Sequence, residues 1–326
     1  MTQPIKYSTA IYDAFHHLLT HHNDVIAIGQ GVQSPWYVGA SMRDLDRDFG
    51  KDRVIDTPVS EWGVTSAAVG ASLNGLRPIV IHPRMDFMLL ASDSLVNQAA
   101  KWGSMLGGKA HPAVTVRGII NRGGEQGAQH SQALQSWYAH IPGLRVVMPA
   151  TVQDARDLLI AATLSNDPVL YIDDLWLYDQ EEEIPPVQEL DLSSLGNQIL
   201  EEGSDITLAG SSWTTLLARQ AAAQLKDEGI SAEVVDCRIL NPFDAEPLCE
   251  SVAKTGRLVA VDGSWATCGM SSEIIARASE GVPFNKWKSA PRRVCLPNAP
   301  APSSSVLEKA YYPTVQDVIN AVHQCL

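Results

Sequence analysis

Two side chains stand out by their settings. Glu61 lies in Asp56-Thr57-Pro58-Val59-Ser60-Glu61-Trp62-Gly63, after the short β-branched run Arg53-Val54-Ile55 and before an Ala-, Gly- and Ser-rich stretch from Val64 to Leu73. The run reads as a buried strand and the stretch as a helix packed closely on its neighbours. A carboxylate where a parallel strand hands over to a helix sits at the edge where α/β sheets bind ligands. There it can accept a hydrogen bond from a ligand or hold a proton. It can equally fill the first turn of its helix, where the macrodipole favours an acid. His130 follows the glycine-rich run Arg122-Gly123-Gly124-Glu125-Gln126-Gly127 and is flanked by Gln129 and Ser131. Glycines allow positive φ and a close backbone approach to a ligand, and an imidazole exchanges protons near neutrality. The spacing fits neither a P-loop nor a dinucleotide fingerprint, so a mobile loop carrying a catalytic side chain is expected. The alternative is a loop histidine bonded to a backbone carbonyl. His16, His17, His21 and His22 read as solvated residues at a helix end.

The elements that must position these groups alternate along the chain. Ser8 can cap a helix whose apolar face is Ile11, Phe15, Leu18 and Leu19. Strands are expected at 25–28, 53–55, 78–81, 113–116, 144–148 and 168–172, with helices after Glu61, from Met88 to about Lys101, and from Thr151 to Leu164. This alternation implies a parallel sheet covered on both faces. An acidic, proline-bearing stretch, Gln180-Glu181-Glu182-Glu183-Ile184-Pro185-Pro186, breaks the pattern. A smaller round follows, with strands at 206–209, 232–235, 258–261 and 293–296. The expected architecture is α/β with two doubly wound domains, 1–180 and 199–326, joined by a linker over 181–198.

Composition narrows the classes. The 326 residues suffice for two domains with their own cores, and 45% hydrophobic with 19% charged residues is ordinary for a globular chain. A net charge of −13 argues against nucleic-acid binding, no run is long enough for a membrane span, and the start lacks a secretory pattern. A cytoplasmic protein is expected. Cys237, Cys249, Cys268, Cys295 and Cys325 are odd in number and form no Cys-x-x-Cys pair, so reduced thiols are the reading.

Asp-Thr-Pro-Val-Ser-Glu at 56–61 and Gly127-Ala128-Gln129-His130-Ser131-Gln132 together resemble the beta subunit of the thiamine-diphosphate-dependent, decarboxylating component of 2-oxo-acid dehydrogenases, such as the pyruvate, branched-chain and acetoin enzymes. Asn97-Gln98-Ala99-Ala100-Lys101, Pro142-Gly143-Leu144-Arg145-Val146-Val147 and 256–262 extend the similarity over nearly the whole chain. The resemblance implies a transketolase-like pyrimidine-binding domain followed by a transketolase C-terminal-like domain. By the same resemblance Glu61 is the carboxylate that drives the aminopyrimidine into its imino form, and His130 lies beside the reactive carbon. Val59, Phe87 and Leu90 line the pyrimidine, with Phe87 stacking on it. Ala162, Thr163, Ser165 and Asp167 align with a segment that binds potassium in some relatives, with serine where one of them has aspartate. Arg117 is read as structural, paired with a carboxylate at a strand end.

The family's diphosphate and Mg2+ are held by a Gly-Asp-Gly…Asn motif on an alpha subunit, a motif not found here. The implied assembly is therefore α2β2, with beta–beta self-association, active sites shared with the alpha subunit, and a lipoyl acyltransferase as a further partner. Three departures from the family stand out: Gln30 replaces a glutamate that the resemblance links to proton relay between paired sites, while His82-Pro83-Arg84-Met85-Asp86 replaces a more apolar and aromatic stretch and Leu90 a polar residue, changes that bear on pocket shape and substrate. Two alternatives remain beside the dehydrogenase reading. One is a split transketolase-like or acyloin-forming enzyme that passes a two-carbon unit to an aldehyde. The other is a non-catalytic structural or regulatory partner with the same fold.

Overall fold

A computed structural model describes residues 3–326. Contacts divide the chain into two units, one ending at Arg122 and resuming over 137–195, the other comprising 123–136 and 196–326. The glycine-rich loop and His130 therefore group with the second unit, whereas chain order puts them in the first.

In the first unit α1 (Tyr7–His21) buries Ile11, Phe15, Leu18 and Leu19, the stripe expected of a helix on a core. It begins one residue before Ser8, whose hydroxyl instead donates to the Tyr178 carbonyl. Six strands follow: β1 (Val25–Gly29), β2 (Val54–Asp56), β3 (Arg77–His82), β4 (Thr115–Ile120), β5 (Arg145–Val147) and β6 (Val169–Asp174). They lie in the order β5-β6-β4-β3-β1-β2, and every pair is parallel. β4 and β6 are buried along their whole length, as strands covered on both faces must be. Arg117 on β4 is fully buried, its guanidinium forked onto both Asp173 oxygens at 3.0 and 2.8 Å and donating to the Tyr178 hydroxyl at 2.7 Å.

The chain runs from β1 to edge strand β2, then crosses back through α2 (Glu61–Ser72) to β3 on the other side of β1. The strand order therefore reverses between β1 and β3, which opens a crevice at their carboxyl ends. Gly29 ends β1 there because a Cβ would fall 2.4 Å from the Ile81 carbonyl oxygen. The expected helix from Met88 to Lys101 is instead a tight 3-10 segment (Met85–Ala91), a widened π-helical one (Asp93–Ala99) and a short α-helix (Ala100–Met105). Polar pairings hold the widened turns: Asn97 donates to Asp93 at 2.7 Å, and Ser94 meets Ser66 of α2 at 2.8 Å. α3 (Val152–Leu164) is capped by Thr151, whose hydroxyl accepts from the Asp154 amide.

In the second unit β7 (Gln198–Glu201), β8 (Ile206–Gly210), β9 (Ala232–Asp236), β10 (Leu258–Trp265) and β11 (Arg292–Leu296) form a sheet in the order β11-β10-β8-β9-β7. Only β7, the strand sequence patterning missed, runs antiparallel. The helices are α4 (Trp213–Asp227), α5 (Glu246–Thr255), α6 (Met270–Gly281), α7 (Ser305–Tyr311) and α8 (Val315–His323). Strands and helices α4 and α8 share one apolar core built on Leu208, Val234, Val259, Leu225 and Val318. The five cysteines are free thiols, and burial pushes Cys295 up to about 11. Among the described residues no helix is long and apolar enough to cross a membrane.

Candidate active site

Glu61 is the first residue of α2, and the preceding Ser60 gives its helix no side-chain cap. The carboxylate is half-buried and faces a small recess lined by Gly29, Gln30, Thr57, Pro58, Ser60, Val64, Ile81 and His82. These residues come from the carboxyl ends of β1, β2 and β3 and from the first turn of α2, so the recess occupies the crevice where strand order reverses. No hydrogen bond or ion pair from the described residues engages the Glu61 carboxylate. The hydroxyl of Thr57, in the same recess, is buried without a hydrogen-bond partner. An acid and an orphaned hydroxyl turned into one recess form a binding edge for a polar ligand, because a lone buried polar group costs about 1–3 kcal/mol.

The neighbouring backbone is fixed. Asp56 accepts from the amides of Gly31 at 2.7 Å and Thr57 at 3.0 Å, which sets the turn leading to Glu61. Gln30 donates to the Tyr37 hydroxyl at 2.8 Å. At the floor His82 is buried, with Nε2 3.0 Å from the Thr65 hydroxyl, and burial lowers its pKa to about 4. The imidazole is therefore neutral at physiological pH. Val59 and Leu90 are exposed, at 70% and 63%, while Phe87 is half-buried in the 3-10 segment. Large apolar side chains left this open imply an apolar surface not completed within the unit.

In the second unit the loop carrying His130 is clasped, not loose. Gly123, Gly124, Glu125 and Gly127 all have positive φ. The Glu125 amide donates to Glu308 at 3.0 Å, and the Glu125 carboxylate accepts from the Ser305 amide at 2.9 Å at the start of α7. His130 is half-buried, and the adjacent Ser131 hydroxyl is buried without a partner. The loop expected to be mobile is thus tied to α7 through Glu125.

Similarity to known proteins extends over both units. Residues 3–172 match the family model for the transketolase pyrimidine-binding domain, and residues 197–318 match the transketolase C-terminal domain. The beta subunit of acetoin:2,6-dichlorophenolindophenol oxidoreductase from Cupriavidus necator is 35% identical over all of this chain and 98% of its own. The subunit of the same name from Bacillus subtilis matches equally, also at 35%. The human mitochondrial pyruvate dehydrogenase E1 component subunit beta is 37% identical over 94% of this chain and 87% of its own. This chain belongs to the transketolase-like beta-subunit family of 2-oxo-acid dehydrogenases.

A solved structure described as a split gene transketolase, inactive beta4 tetramer, agrees in fold with a TM-score of 0.78 at 23% identity, covering 99% of this chain and 98% of that one. The family is enzymatic, so a purely structural partner is the weaker reading. The segment Ala162, Thr163, Ser165 and Asp167, expected to bind potassium, has partners of its own in this structure. The Arg77 guanidinium already donates to the carbonyls of Thr163, Leu164 and Ser165 at 3.2, 3.0 and 2.8 Å, while Asp167 pairs with Arg145 at 2.7 Å. The end of α3 is thus satisfied by a cation of the chain itself. Sequence reasoning missed Thr57 and His82 as recess residues. The signal for His82 was a lone histidine closing an otherwise apolar strand, Pro78-Ile79-Val80-Ile81. It also took all four histidines near the end of α1 for solvated, whereas His17 and His22 both lie 2.8 Å from Glu189.

Proposed function

We propose that the Glu61 recess receives the aminopyrimidine edge of thiamine diphosphate, and that this chain is the beta half of a cytoplasmic enzyme that decarboxylates a 2-oxo acid and passes the acyl group to lipoamide. The observation that carries this reading is the half-buried Glu61 carboxylate, unpartnered beside the orphaned Thr57 hydroxyl. The donor set fits the ring: a carboxylate and a hydroxyl for its nitrogen edge, and the apolar Val59, Phe87 and Leu90 for its faces. When bound, thiamine diphosphate supplies a nucleophilic carbon that attacks the oxo group and takes up the electrons freed with carbon dioxide.

The chain's own residues place and charge that chemistry. Glu61 shares a proton with a ring nitrogen, a task that suits a carboxylate sheltered from water. Phe87 contributes offset stacking worth on the order of 1 kcal/mol. His130 holds or delivers a proton at the substrate's former oxo oxygen. An alpha subunit grips the diphosphate and its Mg2+, two of each chain make an α2β2 assembly, and a lipoyl acyltransferase accepts the product.

One observation favours a second substrate. Two relatives that span the whole chain at 35% identity carry acetoin in their names, so acetoin cleavage with an oxidant as acceptor is the alternative. The test reconstitutes the chain with its alpha partner and compares pyruvate and acetoin as substrates, with a lipoyl domain or 2,6-dichlorophenolindophenol as acceptor. Glu61→Gln is expected to lower turnover by about 100-fold or more with either substrate. Turnover unchanged in Glu61→Gln and in His130→Ala would refute the assignment and leave a scaffold.

A further inference from the structure

We propose that the chain carries a divalent transition-metal site, formed by His17, His22 and Glu189 on the face of the first unit. His17 and His22 each bring Nε2 to 2.8 Å from the same Glu189 carboxylate oxygen, and the three ligand atoms lie within 4.8 Å of one another. Two imidazoles and a carboxylate converging on one point form a donor set for zinc and its neighbours, with the remaining position left to water. Tetrahedral coordination at bond lengths of about 2.0–2.1 Å puts ligand atoms roughly 3.4 Å apart. Each histidine therefore needs to move from Glu189 by about half an ångström, and the two Nε2 atoms, within 4.8 Å of each other, need to settle at the same spacing to admit the ion. Magnesium and calcium, which prefer all-oxygen shells, do not suit it.

Both sides of the site are held by contacts the ligands do not supply, as a preorganised site requires. At the end of α1 the His22 carbonyl accepts from Arg53 at 2.8 Å and from the Val25 amide at 3.2 Å, and Arg53 also reaches the Leu19 carbonyl. Across from it, Arg156 donates to the carbonyls of Pro185 and Pro186, four and three residues before Glu189, and Asp191 caps the short 3-10 turn that buries Leu192. The ligand side chains are accessible to an incoming ion: His17, His22 and Glu189 are 19%, 25% and 42% exposed. The His21 ring, 4.6 Å from that of His17, offers a further imidazole at the rim.

The metal would staple the end of α1 to the acidic, proline-bearing segment that leaves the first unit, positions 167 residues apart in sequence. It lies apart from the Glu61 recess and does not depend on the function proposed for that recess. The decisive measurement is calorimetric titration of the full chain with Zn2+, in a Cys268→Ser background that removes the one exposed thiol. One saturable Zn2+ per chain is expected, with no saturable uptake of Mg2+. At a hundredfold excess over Kd the melting temperature should rise by about 5–10 °C. His22→Ala and Glu189→Gln should each remove the saturable uptake and the rise, while His111→Ala, remote in sequence, keeps both. All variants are at the surface, and an unchanged far-UV spectrum verifies their folding. Absence of saturable Zn2+ uptake, or uptake that persists in His22→Ala and Glu189→Gln, overturns the proposal and leaves a carboxylate bridging two histidines.

Discussion

His82 makes the fold of the recess measurable through proton linkage. Burial lowers its pKa from 6.5 to about 4, so the folded chain refuses a proton that the unfolded chain accepts. Stability is therefore untouched above pH 7 and falls as pH drops through 6.5, with the loss nearly complete at pH 4. Each tenfold drop in proton affinity is worth ~1.4 kcal/mol, so the loss amounts to about 2 kcal/mol at pH 5 and about 3 kcal/mol at pH 4. His82→Gln keeps an amide able to pair with the Thr65 hydroxyl, now 3.0 Å from the imidazole, but binds no proton. The variant carries some fixed packing cost that does not depend on pH. Urea unfolding of both proteins at pH 7.5, 6, 5 and 4.5 separates the two effects, because the difference between them cancels every other titrating group. That difference should shrink by about 2 kcal/mol between pH 7.5 and pH 5, as the wild type loses its advantage. Parallel curves across this range would show that His82 protonates freely in the folded state, and the dry floor of the recess would be refuted.

Two further outcomes follow from the arginines of the first unit. Asp173→Asn leaves the Arg117 guanidinium, now forked on that carboxylate, as an uncompensated buried charge. Breaking such a pair costs about 3–5 kcal/mol, so urea unfolding should show a loss of that size, and a loss below about 1 kcal/mol would contradict the burial seen here. Since Arg77 fills the carbonyls at the end of α3, replacing K+ by Na+ at constant ionic strength should leave the melting temperature unchanged, whereas Arg77→Met should lower it by several degrees. A K+-specific rise in the wild type would instead support the potassium reading.

What the sequence made legible and what it hid divide along physical lines. A run such as Val169-Leu170-Tyr171-Ile172 declared itself because a strand covered on both faces must be apolar throughout. The stripe of α1 was equally plain, since one helix face alone sets its spacing. Edge strand β7 was not, because all four of its residues are half-buried and carry no alternation. The π-helical turns at 93–99 were also hidden: side-chain pairs such as Ser66 with Ser94 decide them, and no local propensity encodes such a partner.

The site divides the same way. Thr57, Val59 and Glu61 fall in one unbroken run because a single strand end and a helix start deliver them, and the short motif there drew attention to Val59 and Glu61 while passing over Thr57. Several polar pairings elsewhere in the chain are made at long range instead. Arg77 finds Ser165 88 residues on, Glu125 finds Glu308 across 183, and Glu189 finds His17 across 172. Chain order cannot show which cation meets which oxygen, and it hid contacts of that kind: Arg77 on the carbonyls at the end of α3, Glu125 on the start of α7, and Glu189 on His17 and His22. A charged residue placed by pattern should thus be assigned a partner only after its three-dimensional neighbours are known, whereas an acid at the carboxyl end of a strand beside the reversal of strand order is a candidate ligand contact that competes with a helix first-turn role until its surroundings are seen. Glu61 meets that second condition and none of the first, which is why its unpartnered carboxylate carries the functional reading.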